Sequence, residues 1–236
     1  MNKIVNWGWD EFKFNNPNTN WFLKRVRESF AKYIKPGSKV LEIGCGSGNI
    51  LTFVAKDKNC DCYGIDISPE SERIIKYFEK NRNTKVNFKV GDGFNIPYQD
   101  NNFDVVYSEG VIEHFDDSKI IEMINEHIRV CKVNGIIIIS VPNKFNIFLT
   151  IGKKIMGKGY PHYPEKSYTI FELKDLVESC GVKVVGIDGF AWQQGLAFWK
   201  IIKKSIYILK FLPDKLLSPK IRSIIGHECM IIAKKL

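Results

Sequence analysis

The sequence predicts an open α/β fold, a largely parallel sheet covered on both faces by helices. Three observations carry this. From Lys39 onward, short β-rich apolar runs alternate with segments of helical periodicity. One run, Ile136–Ile139, is four isoleucines in succession, the pattern of a strand buried on both faces. The first run enters a glycine turn, Gly44-Cys45-Gly46-Ser47-Gly48, that opens a helical segment, as in sheets that bind ligands at their strand ends.

Taken in order, a helix is expected over about Thr19–Ile34, stopped by Pro36-Gly37 and forming a lead-in over residues 1–37. Strands are expected at Lys39–Ile43, Cys62–Ile67, Val86–Val90, Phe103–Tyr107, Gly135–Val141, Val182–Asp188 and His227–Ala233. Helices are expected between them at Asn49–Lys56, Pro69–Asn81, Asp117–Val130 and Ile170–Cys180. Two long intervals, Pro142–Tyr168 and Ala191–Gly226, break the alternation, and intervals of that length carry function or a cap. Residues 143–168 and 191–225 are therefore expected to form a helical cap. At 236 residues the chain suits one well-buried domain.

Composition excludes several classes. The N-terminus, MNKIVNWGWDEF, has no apolar stretch of secretory length, and lysines interrupt the longest apolar runs, so neither a signal peptide nor a membrane span is expected. Cys45, Cys60, Cys62, Cys131, Cys180 and Cys229 form no CxxC pair, which points to free buried thiols in a reducing cytoplasm. The net charge of +9 is uneven. Residues 1–142 hold 19 basic and 19 acidic side chains, whereas residues 143–236 hold 16 and 7. Ligand chemistry and partner recognition are thus expected in different halves.

The ligand site is expected at the ends of the first three strands. Gly44 and Gly46 allow close backbone approach, and Gly48 allows tight packing of the next helix. Glu42 would repel a pyrophosphate but suits a ligand bearing an ammonium group, which favours S-adenosylmethionine over a dinucleotide. Asp66 lies 22 residues after Gly44, the separation of a carboxylate that accepts ribose hydroxyls, with Ser68-Pro69 expected to cap the following helix instead. Asp92 is placed to accept from an adenine amino group, and the amide of Gly93 or Phe94 to donate to a ring nitrogen.

The segments VLEIGCGSG, GIDIS, GDGFNIPYQDNNFDVVYSEGVIEHF and FELKDLVESCGVKVV resemble the class I S-adenosylmethionine-dependent methyltransferases, in particular the ubiquinone and menaquinone biosynthesis (type 11) group, over about residues 38–190. The resemblance implies a Rossmann-like, three-layer α/β fold whose seven-stranded, mostly parallel sheet has an antiparallel last strand inserted between strands five and six. It also implies that Gly44, Cys45 and Gly46 line the methionine moiety, Asp66 binds ribose, Ile67 packs on adenine, Asp92 binds its amine, and Ser108 lies near the methionine carboxylate or amino group.

Methyl transfer from a sulfonium needs alignment above all, and a base only when the acceptor demands it. Two histidines are candidates, His114 after strand four and His162 within Gly159-Tyr160-Pro161-His162-Tyr163-Pro164. Some relatives carry Glu-x-x-Glu-His here as a metal site. Gly110 stands at the first glutamate position, and Glu109 is expected to point elsewhere, so no metal is expected.

Residues 195–212 place Lys200, Lys203, Lys204, Tyr207 and Lys210 on one stripe of an otherwise apolar helix. Its partner is expected to be the acceptor pocket, a second subunit in a homo-oligomer, or an anionic membrane surface. A small or lipid-like acceptor methylated at oxygen or nitrogen follows as the expectation. The alternatives are an RNA methyltransferase, or a non-catalytic cofactor-binding subunit of a partner enzyme. Ser108-Glu109-Gly110-Val111 stands where enzymes acting on base amino groups carry Asn/Asp-Pro-Pro-Tyr/Phe, and no RNA-binding module is present, which disfavours nucleic acid.

Overall fold

The computed structural model describes residues 21–159, 164–191 and 216–236. The elements are α1 (Trp21–Ala31), β1 (Lys39–Ile43), α2 (Asn49–Lys58), β2 (Asp61–Asp66), α3 (Glu70–Arg82), β3 (Asn87–Val90), β4 (Phe103–Glu109), α4 (Asp117–Val130), β5 (Cys131–Pro142), α5 (Ile147–Met156), α6 (Ile170–Ser179), β6 (Lys183–Phe190), α7 (Pro219–Ile225) and β7 (Glu228–Lys234). The sheet has seven strands in the order β3-β2-β1-β4-β5-β7-β6. Strands β1 to β5 pair in parallel, and β7 runs antiparallel to both β5 and β6. The expected fold is therefore the observed one, including the late strand inserted between its predecessors.

Strand alternation divides the core into two layers. Ile137 and Ile139 of β5 join Ile120, Met123 and Ile124 of α4 and Leu173 and Val177 of α6 on one face. Ile138 joins Val26 and Phe30 of α1 and Leu51 and Val54 of α2 on the other. All of these side chains are buried. At roughly 25 cal/mol per Å² of apolar surface, each contributes about 1.5–3 kcal/mol, which is what makes both helical layers adhere.

Local signals set most boundaries. Thr169 and Glu172 form a capping box that starts α6, the Thr169 hydroxyl accepting from the Glu172 amide at 3.1 Å and the Glu172 carboxylate from the Thr169 amide at 2.7 Å. Asn59 and Asn83 end α2 and α3 in the left-handed conformation. β5 begins at Cys131, four residues before the expected Gly135, because α4 passes into it without a loop. A register shift between Phe103 and Val105 absorbs the extra residues of β5, with Asn134 at φ +64°.

The cap intervals are partly described. α5 lies in the first, and α7 in the second. Asn143 ties them together, its amide donating to the carbonyls of Ser223, Ile224 and Gly226. Asp188 of β6 binds Arg222 of α7 and Tyr33 after α1, at 2.6–2.8 Å. The stripe over residues 195–212, like His162, lies outside the described residues. Among the described residues, no helix is long and apolar enough to cross a membrane. All six cysteines are free, and five are buried.

Candidate active site

The carboxyl ends of β1 and β2 meet at the glycine turn. The Cys45 amide donates to the Ile65 carbonyl at 3.0 Å, and the Gly46 amide donates to Asp66 Oδ2 at 2.7 Å, so β2 holds the loop in place. Asp66 Oδ1 accepts from the Ser68 amide at 2.8 Å. Ser68 does not cap α3 as expected. Pro69 stands at the N-cap and makes no side-chain cap, while the local turn closes on Asp66. Each Asp66 oxygen retains a second lone pair for a ligand hydroxyl.

Glycine is required at two positions of the loop. Gly44 has φ +67°, and a Cβ there would sit 2.6 Å from Val111. Gly48 has φ +62°, and a Cβ there would sit 2.5 Å from Ile75 of α3. The first contact presses the loop onto the turn after β4, and the second seats α2 against α3. Glu42 is buried and accepts from the Tyr107 hydroxyl at 2.9 Å. Burial raises its carboxyl well above the usual carboxylate range, Tyr107 opposes that rise, and the charges of Glu109 and Asp66 add to it. Asp66 and Glu109 thus act on Glu42 beside the loop, where a bound cation would favour their charged forms.

Ile67, next to Asp66, remains 48% exposed, an apolar surface at the mouth of the site. Asp92 is exposed and accepts from the Phe94 amide at 3.0 Å. The loop it opens is fixed from α4. Glu126 accepts from the Ile96 amide, and Arg129 donates to the carbonyls of Ile96 and Tyr98. Gly93 backs onto Ile43 and Met123. Residues 40–135, which span all of these, match the family model described as "Methyltransferase domain".

Residues 40–135 carry a methyltransferase domain. Norajmaline N-methyltransferase of Rauvolfia serpentina is 38% identical over 107 residues, 44% of this chain and 36% of that protein. The 2-methyl-6-phytyl-1,4-hydroquinone methyltransferase of Synechocystis is 32% identical over 108 residues, 45% of this chain and 33% of that one. The matching region of the chain thus spans about a third of the length of these curated relatives. The crystal structure of magnesium protoporphyrin IX methyltransferase from Synechocystis with bound SAH superposes with a TM-score of 0.63 at 16% identity, over 89% of this chain and 82% of that one. The fold is shared.

The methyltransferase domain fits its cofactor. A loop that excludes Cβ at Gly44, carboxylates at Glu42 and Asp66, and the exposed Ile67 suit a ligand with an ammonium group, ribose hydroxyls and a flat apolar base. Two expected contributors are placed differently. Ser108 is 1% exposed, and its hydroxyl lies 3.0 Å from His127 Nε2 inside α4. His127 Nδ1 lies 2.7 Å from the Met123 carbonyl, so Nδ1 carries the proton and Ser108 donates to Nε2. Alternation along β4 turns this side chain into the helix layer, leaving its hydroxyl committed there. Cys45 is buried too, its sulfur 2.9 Å from where a Gly64 Cβ would stand, so it contributes backbone to the loop.

Beyond β4 the structure brings together residues far apart in sequence. The Lys166 amide donates to the Glu113 carbonyl at 3.0 Å, which sets Glu165 beside Glu113 and His114. One ligand atom from each of the three lies within 4.8 Å of the others, so they could hold a divalent ion. His114 Nδ1 is 3.1 Å from the Pro164 carbonyl, and its Nε2 is 3.8 Å from Glu113 Oε1. Glu109 is not one of the three, as expected, but it acts electrostatically on Glu113 and Glu165. Its carboxyl is pushed up to about 7, by burial first and then by Glu165, although part of its surface reaches solvent. Glu228, opening β7, is raised by burial and then by Glu109, Glu113 and Glu165. It accepts from the Ser140 hydroxyl at 3.3 Å. Lys153 of α5 pairs with Glu165.

Sequence reasoning missed Glu165, Glu228, Lys153 and His127. Only Glu165 left a signal, as the first acid after a 22-residue basic stretch, residues 143–164.

Proposed function

We propose that this chain transfers the methyl group of S-adenosylmethionine to oxygen or nitrogen of a small or lipid-like organic acceptor. The observation that carries the reading is the Gly46–Asp66 contact, seated where β1 lies between β2 and β4. The strand order reverses there, and open α/β sheets bind ligands at such a switch point. When bound, the cofactor supplies an electrophilic methyl group. The chain's own residues hold and orient it: the loop Gly44–Gly46 at the methionine moiety, Asp66 at the ribose, and Ile67, Asp92 and the amides of Gly93 and Phe94 at the base. Catalysis is then mostly alignment. The relatives named above are an alkaloid N-methyltransferase and a hydroquinone methyltransferase, which supports a small organic acceptor.

Calorimetry with S-adenosylhomocysteine, followed by assay of methyl transfer, tests the reading. Binding in the micromolar range and acceptor-dependent formation of S-adenosylhomocysteine are expected. Binding without turnover on any acceptor class would make the chain a non-catalytic subunit, and label entering RNA would make it a nucleic-acid enzyme.

A second reading concerns the route of the acceptor. Ile147, Ile151 and Ile155 of α5 form one exposed stripe, with Lys154 and Lys158 nearby. Peripheral contact with an anionic membrane surface at this stripe suits a lipid-like acceptor.

A further inference from the structure

The carboxylates beyond β4 exceed what holding the cofactor requires. Glu113 and Glu165 offer ligand atoms within 4.8 Å of each other and of His114, and Glu109 and Glu228 act electrostatically on both. The four carboxyl groups come from four places: the end of β4, the turn after it, the first long interval, and the start of β7. All sit at the carboxyl end of the sheet. Glu109 also acts on Glu42 beside the glycine loop, and Val111, between Glu109 and Glu113, packs against Gly44. The group therefore borders the proposed cofactor site.

Two further observations point to what it receives. Glu113 is 2% exposed, and its Oε2 has no hydrogen-bond partner among the described residues. A buried carboxylate oxygen without a donor is costly unless a ligand supplies one. Lys153 already places one alkylammonium in the group, on Glu165. That lysine would repel a divalent ion at Glu165, whereas it shows that the group accommodates a primary ammonium with its carbon chain. An anionic acceptor, whether phenolate or carboxylate, would meet the carboxyl groups of Glu109, Glu113 and Glu228, with Lys153 already paired to Glu165.

We propose that this carboxylate group receives the methyl acceptor as an alkylammonium, so that the methylated atom is an amine nitrogen. The inference rests on the methyl-transfer reading above and narrows its acceptor. The incoming ammonium gives one proton to a carboxylate of the group. The freed nitrogen lone pair forms the N–C bond while the sulfur–methyl bond breaks, its electron pair staying on sulfur. The product leaves as a methylated ammonium beside neutral S-adenosylhomocysteine, and the carboxylic acid returns its proton to water. Glu113 and Glu165 bind and orient the ammonium.

The test uses the full chain with labelled S-adenosylmethionine and a small-molecule cell extract, split by ion exchange into cationic, neutral and anionic pools. Label is expected in products of the cationic pool, in buffer containing EDTA. Glu113→Gln and Glu165→Gln should each lower the rate on that pool roughly 30-fold or more. Their affinity for S-adenosylhomocysteine, read by calorimetry, should stay at the wild-type value, which also shows that the variants fold. Label formed only from the neutral or anionic pool would overturn the inference while leaving methyl transfer intact. So would transfer abolished by EDTA and restored by magnesium or manganese, which would make the group a metal site. Cofactor binding with no label from any pool would defeat the methyl-transfer reading and this inference together.

Discussion

Asp66 does two things at once, and its substitution should reveal both. Its oxygens accept from Gly46 and Ser68 at 2.7 and 2.8 Å, so the carboxylate shapes the loop that it also serves. Asp66→Ala removes the expected ribose hydrogen bonds, about 2–4 kcal/mol, which is a loss of roughly 30- to 1000-fold in affinity for S-adenosylhomocysteine by calorimetry. An unchanged affinity in a folded variant would rule out the ribose assignment. His127 gives a stability prediction. Burial lowers its pKa to about 4, below the ordinary value of 6.5. The unfolded chain therefore binds the extra proton between those two pH values, and the folded state is fully favoured above 6.5 and weakens as pH falls towards 4. Over that window the contribution is about 3 kcal/mol. His127→Gln should flatten the acid limb of stability measured by urea denaturation, and an unchanged slope would show that the ring is not buried neutral. Asp66 was legible in sequence because a strand, a turn and a fixed spacing announce it. His127 was not, since nothing local distinguishes a buried histidine on a helix from a surface one.

At the scale of elements, the strands and helices of the first half were legible almost to the residue, because β1 and α4 combine clear periodicity with local stop signals. The start of β5 was not, because a helix running straight into a bulged strand leaves no turn residue to mark the junction. A helix was expected within residues 143–168, and α5 lies there. Its exposed stripe of Ile147, Ile151 and Ile155 makes the membrane reading testable. Wild-type protein should sediment with anionic vesicles and release as salt rises, since lysines near such a surface contribute about 1 kcal/mol each. Replacing the three isoleucines with serine should abolish sedimentation while leaving cofactor affinity alone. Wild-type protein that fails to sediment at any ionic strength would remove membrane contact from consideration.

For the whole molecule, the two halves of the site differ in how they are encoded. The cofactor half is contiguous, contained within residues 42–94, and each of its parts is a short motif. The proposed acceptor half is dispersed from Glu109 to Glu228, and its members are brought together by the sheet order, the Lys166–Glu113 backbone contact and the Lys153–Glu165 pair. That is why motifs point to the first, whereas the second needed the three-dimensional structure. The insertion of β7 between β5 and β6 carries a consequence for synthesis. A nascent chain emerging from the ribosome can complete the glycine loop and Asp66 early, yet β5 has no neighbour on that side until the β7 segment arrives. Glu228 opens that segment. A chain stalled before it would have its nucleotide-binding half and a raw edge on β5, with neither Glu228 nor the strand that bears it. Completion of the sheet would therefore also complete the proposed acceptor group.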